Sequence, residues 1–403
     1  MNIINIEGKE IKDSRGKPTL EVTVFAGGES ASFQVPSGAS TGSFEAYELR
    51  DEETGGMNKA ISAIESKILP SLIRADVTNQ LDIDNTLITL DGTEHKTELG
   101  GNTMIGVSIA CAKLAAKVQG KNTYEYLRTL IPIAIEENEV PYLYVNLING
   151  GKHSHSDLAF QEYHVIPQTK DIKEAMGMIN SVIDELEKVI ISYGFSLEKG
   201  DEGGYAINTP DVMLPLEILS EAVNNTDLNG KIKFALDVAA SSFYEKDIDS
   251  YKIGDKNLNK VELKNIYKEI CQKYEIISIE DPFFEDDFAS FNDLQNEIPT
   301  LIVVGDDLTT TNTGRIHLAI EQNSIKGMII KPNQVGTLTE TLQAIQLAYE
   351  NDIKCIVSHR SGETMDNFIA DLVVAFNCFG IKAGSPRAKE RAVKYDRLVD
   401  ILN

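Results

Sequence analysis

Six apolar runs in the second half of the chain each end in a residue able to do chemistry. They are Lys233-Phe-Ala-Leu-Asp237, Ile276-Ile-Ser-Ile-Glu280, Leu301-Ile-Val-Val-Gly-Asp306, Met328-Ile-Ile-Lys331, Cys355-Ile-Val-Ser-His359 and Gly380-Ile-Lys382. Asp237, Glu280 and Asp306 are hard oxygen donors, a set that suits Mg²⁺ with positions left for water or substrate. Each carboxylate alone could equally cap the helix that follows it. All three together, beside Lys331 and Lys382, favour a metal shell. A lysine closing an apolar strand can lose its proton through desolvation and nearby cations, which makes Lys331 a candidate base. Its alternative is a rim lysine reaching into solvent.

Other candidates lie in loops. Gly200-Asp-Glu-Gly-Gly204 is a turn whose glycines allow close backbone approach, and Glu202 within it could serve as a general acid. In so acidic a chain, such a turn can also be plain solvated surface. Ser358-His-Arg-Ser-Gly-Glu363 offers a guanidinium, hydroxyls and backbone N–H groups suited to phosphate, or else a helix N-cap with an incidental arginine. Asn149-Gly-Gly-Lys-His153-Ser-His155 reads as a mobile loop from which His153 reaches a substrate; no other His or Cys is spaced to complete a zinc site. Ser37-Gly-Ala-Ser-Thr-Gly-Ser43 is an anion nest, a metal-bearing lid or an ordinary loop. Asp13-Ser-Arg-Gly16 is a tight turn open to the same readings.

Positioning these residues requires regular elements. Most of the six runs are separated by a helix-length stretch, the repeat of a βα unit whose strand ends share one mouth. Two strand-like runs precede them, Tyr142 to Ile148 and Ala159 to Ile166. Two helical patterns follow, Lys173 to Tyr193 and Asp211 to Val223. The order is ββαα(βα)6, a variant of the eight-unit barrel. Upstream, Thr19-Leu-Glu-Val-Thr-Val-Phe alternates as a half-buried strand, and Lys59 to Leu69 and Thr103 to Val118 have helical periodicity. The expected division is a smaller α+β domain over residues 1–133 and a barrel over 141–403, with the junction between Ile131 and Val140.

A chain of 403 residues exceeds one ordinary core, consistent with two domains. Its net charge of −24 disfavours nucleic-acid and anionic-membrane partners, and any anionic ligand must find local positive charge at its site. No apolar run is long enough for a membrane helix, and the N-terminus lacks the regions of a signal peptide. Cys111, Cys271, Cys355 and Cys378 match no zinc or redox spacing and read as buried thiols of a reducing cytoplasm.

Together, Asp13-Ser-Arg-Gly, Val35-Pro-Ser-Gly-Ala-Ser-Thr-Gly, Leu90-Asp-Gly-Thr, Gly200-Asp-Glu-Gly-Gly, Ser278-Ile-Glu-Asp-Pro-Phe, Gly305-Asp-Asp-Leu-Thr, Lys331-Pro-Asn-Gln-Val-Gly-Thr and Val357-Ser-His-Arg-Ser-Gly-Glu-Thr resemble the enolase family over nearly the whole chain. The resemblance implies reversible dehydration of 2-phosphoglycerate to phosphoenolpyruvate. It implies Lys331 as the base and Glu202 as the acid. Asp237, Glu280 and Asp306 would hold a first Mg²⁺, and Ser40 a second that arrives with substrate. Arg360 and Ser361 would contact phosphate, and Lys382 the carboxylate side. His153, Gln161, Glu162 and His359 would line the pocket. A lysine base beside Mg²⁺ is the family's own known pattern and not a product of the spacing. The same resemblance implies a homodimer or octamer, and a cytoplasmic protein with a secondary surface pool in some relatives.

Several positions depart from the family pattern: Lys17, Lys199, Ala206-Ile207-Asn208 and Gly384-Ser-Pro-Arg-Ala-Lys-Glu-Arg391, where Ala388 stands for the usual arginine and Arg387 precedes it. They motivate a second reading, a diverged lyase acting on a related phosphonate or phosphate acid. A third is a non-catalytic surface-binding role.

Overall fold

The computed structural model describes residues 1–38, 42–135 and 139–403. The barrel strands are buried on both faces, which explains their near-continuous apolar runs. They follow the order Tyr142–Asn149, Glu162–Pro167, Ile232–Asp237, Ile276–Glu280, Ile302–Gly305, Gly327–Ile330, Lys354–Ser358 and Gly380–Lys382. The last strand pairs back to the first through Ile381 and Leu143, closing the ring. Glu162–Pro167 runs antiparallel to both neighbours, whereas the other pairings in the ring are parallel. This is the expected ββαα(βα)6 barrel. Its interior layer includes Tyr144, Ile166, Ala235, Val304, Ile329 and Ile356.

The helices lie outside the ring. Ile172–Ser192 buries Ala175, Met178, Ile179, Val182, Ile183 and Leu186 at three- and four-residue spacing, and Asp171 caps it by accepting from Lys173 N and Glu174 N. The next helix starts at Leu214 rather than near Asp211. Pro215 fits only a first turn, and Asp211 accepts from Met213 N at 2.8 Å instead.

The N-terminal region is a separate three-stranded antiparallel sheet, Ile3–Lys12, Pro18–Ala26 and Glu29–Gln34, covered by the helix Gly101–Val118. Of these strands only the second is evident from alternation in the sequence. The Lys59–Leu69 pattern is helical but widens into a π-helical turn at Ile64–Ile68 and continues over Leu69–Leu72. A small antiparallel sheet formed by Tyr244–Glu245, Ser250–Ile253 and Lys256–Leu258 is inserted before the helix Lys260–Lys273; the strand–helix repeat gave no sign of it.

This N-terminal region also braces the barrel mouth. Ser108 Oγ accepts from Leu338 N at 2.9 Å, and Asp84 Oδ2 accepts from Thr339 N at 2.8 Å. These bonds satisfy otherwise orphaned N–H groups of the helix Leu338–Glu350. They fix the end of the loop that begins at Lys331.

Candidate active site

The six strand-end residues converge. Asp237, Glu280 and Lys382 are the last residues of their strands, and Asp306, Lys331 and His359 each follow their strand by one. Lys382 is 2% exposed. Its ammonium lies 2.7 Å from Asp237 Oδ2, 2.9 Å from Glu280 Oε2 and 3.1 Å from Glu162 Oε1. Lys331 donates to Asp306 Oδ2, and Gln334 Nε2 donates to Asp306 Oδ1 at 3.1 Å. Gln161 Nε2 donates to Asp237 Oδ2 at 3.2 Å. A cavity of about 270 Å³ opens onto this network, and Lys331, Lys382, Asp237 and Asp306 line it.

Glu202 lines the same cavity. Its turn closes through Gly200 N to Gly204 O at 2.8 Å, and a side chain at Gly200 would come within 2.5 Å of the His153 carbonyl. Asp201 points to solvent while Glu202 is only 2% exposed, so the turn is not merely solvated surface. Asn146 Nδ2 donates to Glu202 Oε2 at 3.0 Å; His359 Nε2 lies 3.3 Å from that oxygen, and His153 Nε2 lies 3.8 Å from Oε1.

The rim is shared between the two regions of the chain. Arg360 donates to Asn333 Oδ1 at 2.8 Å and to Glu45 Oε2 at 2.9 Å. Ser37 and Gly362 exchange backbone hydrogen bonds of 2.8 and 2.9 Å. Arg15 donates to Ser361 Oγ at 3.3 Å, while Asp13 accepts from Arg15 Nη2 and Ser37 Oγ. The Asp13-Ser-Arg-Gly16 turn is therefore a clasp on the Ser358–Glu363 loop. Ser40 lies outside the described residues; Gly38 and Gly42, on either side, line the cavity.

Charge is unevenly matched here. Burial and the neighbouring Asp237 push Glu280 well above the ordinary carboxylate range, and burial with Glu202 does the same to Glu162. Burial and Asp306 push Asp307 up to about 7. Asp237 goes down despite burial, because Lys382 outweighs it. Lys331 is pulled down by burial but held above its usual value by Asp306. Burial acts to raise Glu202, yet His359, His153 and Arg391 hold it well below its usual value. His359 itself is pushed down to about 4, chiefly by burial, so the imidazole is neutral.

The donor set fits a divalent cation. Asp237, Glu280 and Asp306 present only oxygen, and two lysines do not offset the buried carboxylates around them. Asp281, Asp306 and Asp307 also bring one oxygen each within 4.8 Å of one another. The three strand-end carboxylates do not meet at one point. Asp237 and Glu280 share Lys382, whereas Asp306 pairs with Lys331. Replacing Lys382 by methionine would remove the cation that Asp237, Glu162 and Glu280 share. We expect a loss of about 3–5 kcal/mol in stability, read from urea titration of the metal-free protein. An unchanged midpoint would contradict the pairing.

Family models match the chain in two pieces: the enolase N-terminal domain over residues 3–127 and the enolase C-terminal TIM barrel domain over 137–403. The chain is 42% identical to a Methanococcus aeolicus protein named enolase, covering 99% of this chain and 95% of that one. It is likewise 42% identical to the enolase of Sulfurisphaera tokodaii (100% and 95% covered) and 41% identical to that of Thermococcus gammatolerans (99% and 94%).

The chain belongs to the enolase family. Of its departures from the family pattern, those at Lys199 and Arg387 lie away from the cavity, whereas Ser385 donates its N–H to Glu202 O at 3.0 Å. Lys199 sits over the Tyr205 ring at 5.7 Å, and Arg387 pairs with Asp184 at 2.5 Å; none of these four residues lines the cavity. No relative named enolase supports the reading of a diverged lyase on another acid. Among the described residues, no helix is long and apolar enough to cross a membrane.

Sequence reasoning missed four contributors: Glu45, Asn146, Gln334 and Arg391. Each acts by holding a predicted residue, and none sits at a strand end. Gln334, three residues after Lys331, was within reach of the same loop argument.

Proposed function

We propose that the protein catalyses the reversible dehydration of 2-phospho-D-glycerate to phosphoenolpyruvate and water, a hydro-lyase reaction, with Mg²⁺ as the metal. The observation that carries this reading is a pair of proton-transfer groups, Lys331 and Glu202, lining one cavity, with Lys382 held between carboxylates in the same lining.

A proton beside an ionised carboxylate is a very weak acid, because its removal adds charge to an anionic group. Lys331 takes the proton from the α-carbon, and the freed electron pair moves toward the substrate carboxylate. Lys382 stabilises the charge that develops there. Mg²⁺ held by Asp237, Glu280 and Asp306, with a second ion near Ser40, would supply further positive charge at the same carboxylate. Hydroxide is a poor leaving group. Glu202 gives its proton to the 3-hydroxyl as the carbon–oxygen bond breaks, water departs and the double bond forms. Arg360 and Ser361 hold the phosphate, and His153, Gln161, Glu162 and His359 shape the pocket. In this reading residues 1–133 cap a catalytic barrel of 141–403, and the protein works as a homodimer or octamer in the cytoplasm.

The dehydration needs Lys331 neutral and Glu202 ionisable as an acid, opposite to the directions in which their surroundings push them. The rate must rise as Lys331 loses its proton and fall as Glu202 loses its own. A bell-shaped kcat/KM profile is expected, level across neutral pH between the two pKa values and falling beyond each of them; a profile without a fall on the alkaline side, once Lys331 has lost its proton and Glu202 has long lost its own, would contradict it.

The test of the function is the absorbance of phosphoenolpyruvate formed from 2-phosphoglycerate, with Mg²⁺ and after chelation, alongside phosphonate analogues. Turnover only with metal, and a clear preference for 2-phosphoglycerate, is expected. A folded, Mg²⁺-loaded sample without turnover would reject the reading.

A further inference from the structure

The C-terminal helix Lys389–Leu402 carries a buried cation for which the reaction scheme has no use. Arg391 is 0% exposed. Its Nη1 donates to His359 Nδ1 and to Arg360 O, both at 2.6 Å. Its Nη2 donates to Ser361 O at 2.8 Å and to Asp201 O at 3.2 Å. One guanidinium thus ties three consecutive residues of the phosphate-side loop to the turn that bears Glu202.

The chemistry of this contact fixes a proton. Arginine offers donors only and stays charged. His359 Nδ1 must therefore present its lone pair, and the ring proton sits on Nε2. That nitrogen lies 3.3 Å from Glu202 Oε2. The packing is close enough to hold the arrangement. Gly384 covers it with φ +77°, and a side chain there would meet Glu202 O at 2.8 Å, His359 Cε1 at 3.0 Å and Arg391 Cδ at 3.1 Å. One turn along the helix, Lys394 donates to Glu363 Oε2 at 2.7 Å and Thr364 O at 2.6 Å, anchoring the far end of the same loop.

We propose that Arg391 is a positioning residue that locks His359 in the Nε2–H tautomer and sets the Glu202 turn against the Arg360–Ser361 loop. The tautomer follows from the contact alone; its consequence for turnover rests on Glu202 being the acid. By that reading, loss of Arg391 slows the carbon–oxygen step and spares proton abstraction by Lys331.

The test uses full-length, Mg²⁺-loaded protein labelled with ¹⁵N-histidine. Long-range ¹H–¹⁵N correlation reads the tautomer, with His359 assigned by its loss in His359→Asn. Wild type is expected to show the neutral Nε2–H pattern and Arg391→Met to lose it. Arg391→Lys, which keeps a cationic donor without the guanidinium fork, should restore the pattern in part. In Arg391→Met, kcat should fall about 10²-fold, with KM and α-proton exchange little changed. An Nδ1–H pattern in wild type overturns the proposal without any variant, which covers the case where Arg391→Met does not fold. An unaltered pattern in Arg391→Met overturns it too. A switched tautomer with full kcat overturns the positioning role. If Glu202→Gln is also fully active, the error lies in the acid assignment rather than in Arg391.

Discussion

Lys331→Ala should lower the dehydration rate by about 10⁴-fold and stop exchange of the substrate α-proton with solvent. The size of the effect follows from position. Lys331 leaves the strand Gly327–Ile330 at the barrel mouth, lines the cavity and is only 14% exposed at its side chain. Its backbone is fixed from the N–H by Thr311 Oγ1 at 3.0 Å, and the loop beyond it is braced by Asp84 and Ser108. Alanine would leave that frame standing and remove the amine that takes the proton. Asp306 would lose its ion pair as well, but it keeps Gln334 as a partner, so folding should survive. Exchange measured by deuterium incorporation at the α-carbon checks this; retained exchange would assign the base elsewhere.

Glu202→Gln should lower dehydration by about 10³-fold while α-proton exchange continues. The amide keeps the shape and the hydrogen bond from Asn146 but has no proton to give. His359 and His153 stand close to the same carboxylate and are both neutral, since burial pulls each below its usual value. Neither offers a ready substitute acid. Burial acts on Glu202 in one direction and its neighbours His359, His153 and Arg391 in the other, and the neighbours win in the ligand-free protein. The anionic substrate brings opposing charge to the cavity, which moves Glu202 toward its protonated form. Steady-state rates, with the exchange rate measured in the same sample, separate the two steps.

The barrel and its strand-end residues were legible because one pattern carries both. A strand buried on two faces is mostly apolar, so the ionisable residue that closes the run marks the mouth; Asp237, Glu280, Asp306, Lys331, His359 and Lys382 each close such a run. The separate sheet around Ile3–Lys12 was less visible, since its alternation is broken by Gly8 and by charged residues on the exposed face. The Tyr244–Leu258 sheet is built from short strands that leave no period to read.

Loop residues were legible only through motif resemblance. Nothing in Gly200–Gly204 distinguishes Asp201, which faces solvent, from Glu202, which is buried; tertiary contact with Asn146 and the two histidines decides that. Arg391 and Lys394 were illegible for a related reason. On a helix with five other charged residues they read as solvated face, yet both are buried against the loop at 358–364. The departures at Lys199 and Arg387 looked close to the chemistry in sequence. Neither lines the cavity; they meet Tyr205 and Asp184 instead.

The division of labour between Lys331 and Glu202 is tested most directly by one measurement on Mg²⁺-loaded Glu202→Gln in D₂O. It follows deuterium at the α-carbon of recovered 2-phosphoglycerate together with phosphoenolpyruvate formed. Deuterium should enter the substrate while product formation is nearly absent. Loss of both exchange and product in a folded, metal-binding variant, or full product formation, would contradict an acid and a base supplied by two separate residues.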